Sequence, residues 1–292
     1  MTSRRRVVTL ALTAGITVYL LFKVHSEASS LNIGPEVFLS PFFLLAVLAG
    51  FASYLLYSCL WYVYLKDRGT DFRRVLLATL SGTYLSFSLN SAVGILVKVH
   101  LLGTDYWYTM GAGLLAMATE YLSALLLLFL VGKNFLAGFF MLLLGLAMLF
   151  DRAGYYLLYP LFHIAKSKSR LDRMYEGWKA AKRGSSFLEA LLVGVAMISM
   201  NALTLILVGK TLGVGIPYGK AIEGVLYSTF LGGVLGTPGG IGANELGVTM
   251  AIGNSALGII VAFIYKVLTT YAYALAGALA FYRLMSRPEK AY

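Results

Sequence analysis

Charge is scarce in this chain: of 292 residues only 13% are charged, against 59% apolar. A soluble domain carries about 25% charged residues, so the composition excludes a soluble enzyme and points to a membrane protein. Histidine is as rare, with three scattered residues, His25, His100 and His163. No HExxH or DxD pattern accompanies them, which argues against a metal-dependent hydrolase or a nucleotide-sugar transferase; no metal and no cofactor is expected. The single cysteine, Cys59, lies inside an apolar run and has no intrachain disulfide partner, so it reads as a small buried side chain and leaves the redox compartment open. A net charge of +11 would suit nucleic acid, but the basic residues sit in loops beside apolar spans. They report orientation in a membrane, and no nucleic-acid partner is expected.

What is abundant is long apolar runs. Spans are expected near Val7–Phe22, Ser40–Leu65, Tyr106–Val131, Phe135–Phe150 or beyond, Phe187–Val208 and Leu257–Leu284. The first follows Arg4, Arg5 and Arg6 and resembles a signal peptide, but no small-residue cleavage site follows it, so a retained helix is expected. Two regions break the pattern. Phe72–Leu102 is interrupted around Asn90–Gly94, and Tyr218–Gly253 around Thr237–Gly242. Each arm is too short to cross ~30 Å of hydrocarbon at ~1.5 Å per residue, so each region is a broken span or a re-entrant hairpin. If both are hairpins, the Arg4 cluster, Lys66–Arg74, Lys166–Arg183 and the tail Arg283–Lys290 all face the cytoplasm, as positive charge prefers. The expected fold is therefore an all-α polytopic membrane protein with about six spanning helices, two re-entrant helical hairpins and both termini cytoplasmic, in the plasma membrane. Between the halves, the basic stretch 166–184 carries Leu171, Met174, Tyr175 and Trp178 at helical spacing. It reads as an amphipathic helix on the cytoplasmic surface, or as a solvated linker with anchoring aromatics.

A shift of 146 residues superposes the two interruptions: Gly69 meets Gly215, Thr83 meets Thr229, Gly94 meets Gly240 and Ile95 meets Ile241. One transmembrane domain, 1–292, then holds repeat one at 38–132, with its hairpin near 72–102, and repeat two at 187–284, with its hairpin near 218–253. The first hairpin enters from the cytoplasm and the second from outside, so the repeats are inverted, an architecture of transporters whose substrate site lies near the midplane.

The same shift sets Glu120 against Lys266 and brings Lys98 within one position of Glu245. A charge at the bilayer centre costs about 2.5–3.5 kcal/mol on insertion scales, so these residues pair or face water. The expected pairs are Lys98 with Glu120 and Glu245 with Lys266, either lining a polar cavity or locking hairpin to span. In GTPGGIGANELG, Gly236–Gly247, Pro238 ends the incoming arm and the glycines permit a tight reversal. The outgoing helix begins near Ile241 and offers its free amides to an anion, unless Glu245 satisfies them. Candidate substrate-binding residues are Asn90, Lys98, Glu120, Thr237, Gly239, Gly240, Asn244, Glu245 and Lys266. Asp151 and Arg152 read as the end of their span. Ala274 and Gly277 suit internal helix packing or a homo-oligomer.

PGGIGANELG, Pro238–Gly247, preceded by LGVGIPYGKAIEGVL, resembles the C-terminal-half signature of the lysylphosphatidylglycerol synthase transmembrane-region family, the flippase-like module of multiple-peptide-resistance factors. In the first half, Gly94-x-x-x-Lys98 with Leu101-Leu102 is similar to that family's PGRxGExxRxxLL segment, and Glu120 falls at its acidic position. Asn90, Ser91 and Ala92 replace Pro-Gly-Arg, Ile95 replaces a glutamate, Tyr121 an arginine, and Lys98 and Lys266 stand where arginine is usual. Arginine grips phosphate with two prongs and lysine does not, which bears on headgroup choice. The resemblance implies a translocator of an anionic or zwitterionic lipid, phospholipid, aminoacyl-phospholipid or polyprenyl-phosphate-linked, with a separate lipid synthase or glycosyltransferase as partner. The alternatives are an integral-membrane transferase or accessory subunit acting on lipid-linked sugars, and a small-solute transporter.

Overall fold

The computed structural model describes residues 34–102, 105–183, 185–234, 240–253 and 255–285. Among them there is no strand. In chain order the helices are α1 (Pro41–Leu65), α2 (Phe72–Ser88), α3 (Ser91–Leu101), α4 (Tyr106–Leu130), α5 (Phe135–Leu149), α6 (Asp151–Ile164), α7 (Lys168–Ala181), α8 (Ser186–Thr211), α9 (Tyr218–Val234), α10 (Ala243–Ile252), α11 (Ala256–Lys266) and α12 (Ala272–Met285), the last two joined by a π-helical segment, Val267–Tyr271. Val7–Phe22, the Arg4–Arg6 cluster, His25, Thr237–Gly239 and Arg287–Lys290 lie outside the described residues.

Among the described residues four helices are long and apolar enough to span a membrane, 41–68, 106–130, 186–211 and 256–284, and the bent pair 135–149 and 151–160 makes a fifth if it is one span. A 25-residue helix such as α1 is about 37 Å long, enough to cross with some tilt. The protein is a multi-pass membrane protein. Its exposed apolar side chains, Phe42, Leu44, Leu45 and Leu48 on α1 and Phe139, Leu142, Leu143 and Leu146 on α5, belong in lipid. Local chemistry starts several helices. Asp105 accepts hydrogen bonds from the Trp107 and Tyr108 amides, at 3.1 and 3.2 Å, opening α4. Asn134 takes the Ala137 amide at 3.1 Å for α5, and Ser255 the Gly258 amide at 3.0 Å for α11.

The run that begins at Phe135 is not one straight span. α5 and α6 meet at a 74° bend, at Phe150. A residue about thirty positions downstream braces the bend: the Lys182 ammonium donates to the Met148 carbonyl at 2.7 Å and to Asp151 at 3.0 Å. It satisfies a helix-end carbonyl and neutralises the first carboxylate beyond the bend. Asp151 is thus held by a partner.

The chain divides into two compact units. The unit drawn from 54–76 and 99–199 is built on α4. Trp61 packs on Gly113, the Tyr64 hydroxyl is 2.7 Å from Thr119 Oγ1, Gly194 of α8 rests on Ser123, and Lys66 pairs with Glu189. α7 also lies on α4. A Cβ on Gly111 would fall 1.9 Å from the Met174 carbonyl oxygen, and one on Gly177 2.0 Å from that of Tyr108. Two glycines bring these backbones together, and Leu171 is 1% exposed. The buried side of this helix therefore meets protein.

The unit drawn from 1–53, 77–98 and 200–292 contains two helical hairpins. In the first, α2 meets α3 where Gly82 faces Gly94 and Lys98. In the second, α9 runs antiparallel to α10, with Gly232 against Asn244, Tyr227 and Ser228 against Gly247, and Gly224 against Val248. α12 crosses α2 where Gly277 approaches the Leu80 carbonyl, 2.1 Å from a built Cβ. That contact and the burial of Ala274 show these small residues packing inside the chain.

Candidate functional site

Within this unit the sequence candidates Asn90, Lys98, Gly240, Asn244, Glu245 and Lys266 are brought to hairpin breaks and buried helix faces. Asn90 opens α3: its side-chain oxygen takes the Val93 amide at 2.9 Å, and its carbonyl takes the Gly94 amide at 3.2 Å. Lys98, two turns further on, is 3% exposed. Its Cβ would lie 2.9 Å from a Cβ on Gly82, so a glycine on α2 makes room for the lysine stem.

The second hairpin is built around Gly242, at φ 82°, which begins α10. Glu245, three residues on, turns back and accepts the Gly242 amide at 2.8 Å. One donor of this helix start is therefore taken by the protein's own carboxylate. The other oxygen of Glu245 accepts from the Tyr271 hydroxyl. Tyr271 closes the π segment that follows Lys266, and its ring packs on Phe87 and Phe263. Asn244 is wedged between two glycines: Cβ atoms on Gly232 and Gly240 would lie 2.0 and 2.3 Å from its amide atoms. Gly240 has φ 68°, the left-handed region that favours glycine.

Lys266 ends α11 immediately before the π segment and is 8% exposed, as is Glu245. Its ammonium lies 5.7 Å from the centre of the Tyr265 ring. A single π turn inside a helix re-aims the side chains around it and recurs at functional sites. Tyr271 and this turn escaped the sequence reading: a tyrosine in an apolar span carries no mark of its partner, and a π turn has no composition signal.

Glu120 lies in the other unit, on α4, half-buried, where its charge acts on the phenols of Tyr57 and Tyr121. Thr237 and Gly239 fall outside the described residues. Among the described residues no cluster of three or more His, Cys, Asp or Glu comes together.

In chemical terms the unit holds two buried lysines and a buried carboxyl group whose two oxygens already have donors, all on interrupted helices. Buried lysines can bind phosphate as point charges. No curated protein and no solved structure matches the chain. The family described as the lysylphosphatidylglycerol synthase TM region matches residues 6–277, and the chain belongs to that family.

Proposed function

Membership of a membrane, lipid-related family is the premise from which we propose that this protein is a translocator, carrying an anionic or zwitterionic lipid headgroup between leaflets, with Lys98 and Lys266 meeting the phosphate. One observation carries the reading: two lysines, 3% and 8% exposed, sit on interrupted helices in a chain that is 59% apolar. A buried intramembrane cation is costly enough to require a task or a partner. Glu245, engaged by the Gly242 amide and Tyr271, holds the start of α10 in place, and Asn244 fills the crossing of the two arms. The Gly240–Gly242 backbone supports the headgroup.

The test is leaflet exchange of fluorescent phosphatidylglycerol in vesicles reconstituted with the full chain, read by dithionite quenching. The wild type accelerates exchange. Lys98→Ala/Lys266→Ala abolishes the acceleration, and Lys98→Arg/Lys266→Arg retains part of it. Unchanged exchange in the alanine variant, at equal incorporation and thermal stability, would sink the site. Mass spectrometry of the same lipids separates translocation from chemistry, because a changed lipid mass would mark a transferase.

A further inference from the structure

A second site, built from other residues, lies in the unit built on α4. The first turns of α6 and the middle of α7 form an open pocket of about 350 Å³ lined by Asp151, Arg152, Tyr155, Tyr156, Tyr175 and Lys179. Its charges do not cancel. Asp151 is neutralised by Lys182 at 3.0 Å and also accepts the Tyr175 hydroxyl at 3.3 Å. Tyr155 donates to Asp172 at 2.6 Å. Arg152 and Lys179 remain as cations in excess of the carboxylate that lines the cavity.

Lys179 is positioned by the Tyr175 ring, 4.5 Å from its centre, a cation–π contact, and Arg152 lines the same pocket close enough for its charge to act on the Tyr175 phenol. Burial, then the Asp151 carboxylate, push the Tyr175 phenol above its ordinary range, so it stays protonated at neutral pH. Tyr175 is itself stacked against Tyr155, with ring centres 5.0 Å apart. Two cations on a braced aromatic post suit a compact anion with several acceptor oxygens.

The surroundings say what carries that anion. The cavity opens beside the 74° bend at which an apolar helix ends. Leu149, Phe150, Tyr156 and Leu157 are each at least 66% exposed there. Exposed apolar side chains, tyrosines and basic residues at the end of a membrane helix mark the headgroup level. A volume of this size is at the lower end of ligand pockets, about 300–1,000 Å³, and admits a glycerophosphate group but not acyl chains, which would run along α5.

We propose that this cavity is an interfacial binding site for a phosphate ester, occupied by the headgroup of an anionic phospholipid, with Arg152 and Lys179 holding the phosphate. The site uses neither Lys98 nor Lys266 and stands whether or not those residues carry translocation.

The experiment is native mass spectrometry of the full chain in detergent, titrated with dioleoylphosphatidylglycerol and separately with dioleoylphosphatidylcholine. The first phosphatidylglycerol adduct binds the wild type more tightly than the first phosphatidylcholine adduct. Arg152→Gln/Lys179→Gln weakens it about thirtyfold, and Lys179→Gln, which changes only an exposed side chain and so spares the fold, about fivefold. Arg152→Lys/Lys179→Arg keeps it, and in a Lys98→Ala/Lys266→Ala background, which removes the proposed translocation site, the two glutamine substitutions still weaken it. Inorganic phosphate in excess separates the sources: displacement of the lipid means the phosphate alone is read, and persistence means the glycerol and chains contribute. Equal phosphatidylglycerol affinity in the wild type and both glutamine variants, with helicity unchanged by circular dichroism, overturns the proposal. So does equal affinity for the two lipids.

Discussion

Gly232→Ala should destabilise the second hairpin, and the structure fixes by how much and through which neighbour. A Cβ at this position would sit 2.0 Å from Asn244 Oδ1 and 2.9 Å from its Cγ. Ordinary carbon contacts begin near ~3.5 Å, so the amide or the helix would have to move by more than an ångström. The amide has little room to yield, because a Cβ on Gly240 would lie 2.3 Å from its Nδ2. Forced overpacking costs about 1–3 kcal/mol, and rigid confinement on two sides puts this case at about 2–3. Alanine gains about 1 kcal/mol over glycine in helix propensity, which leaves a net loss of about 1–2 kcal/mol. With Asn244→Ala in place the obstacle is gone, and Gly232→Ala becomes stabilising by up to about 1 kcal/mol, a coupling of about 2–3 kcal/mol between the positions. Equilibrium unfolding in mixed micelles of rising SDS content, followed by tryptophan fluorescence, measures all four corners of this cycle. A coupling below about 0.5 kcal/mol would refute the claim that Asn244 is clamped between the arms.

Tyr271→Phe removes a donor from the buried Glu245 carboxylate and should cost about 1.5–3 kcal/mol in the same assay; in a Glu245→Gln background, where the charge is gone, the cost should fall by at least half. Gly177→Ala places a Cβ 2.0 Å from the Tyr108 carbonyl oxygen and should pry α7 from α4, raising the rate of tryptic cleavage at Lys166 and Lys168 several-fold. Gly145→Ala, with no atom within 4 Å of its Cβ, should leave both stability and cleavage near wild type or slightly improve stability.

Much of the helical layout was legible because apolar run length is a strong signal in a membrane chain. The runs expected at Ser40–Leu65 and Tyr106–Val131 end within a residue of α1 and α4. The break at Asn90 was legible too, since a polar Asn-Ser step in an apolar run is a helix-start signature. What could not be read depends on distant partners. The bend after α5 is braced by Lys182, about thirty residues away, which holds Met148 and Asp151. The burial of Leu171 and the seating of α7 need Gly111 of α4, which shows in sequence only as one more small residue in a span. Of the site, the buried charges were visible as charges in apolar sequence, whereas the partnership of Glu245 with Tyr271 required the fold.

Helix caps give the repeats a more exacting comparison than a sequence shift does. The incoming arms begin at the shift of 146, α2 at Phe72 and α9 at Tyr218. The outgoing arms do not, because Asn90 opens α3 and Gly242 opens α10, an offset of 152. Counted from these caps, Lys98 is eight residues in and Glu245 three. Five residues turn a helix by about 140° beyond a full revolution, so the two side chains leave their arms on different faces and at different depths. Glu120 and Lys266, fifteen and eleven residues past Asp105 and Ser255, differ by one turn and about 40°, and so share a face. Counted from their caps, the two span charges therefore differ by one turn along their helices, and the two hairpin charges differ in both face and depth. There Glu245 serves its own helix start, while Lys98 lies along the α2 seam, its stem against Gly82. On the proposed function, in which the two lysines meet the phosphate, Glu245→Gln is a variant that should weaken the hairpin more than it weakens lipid binding.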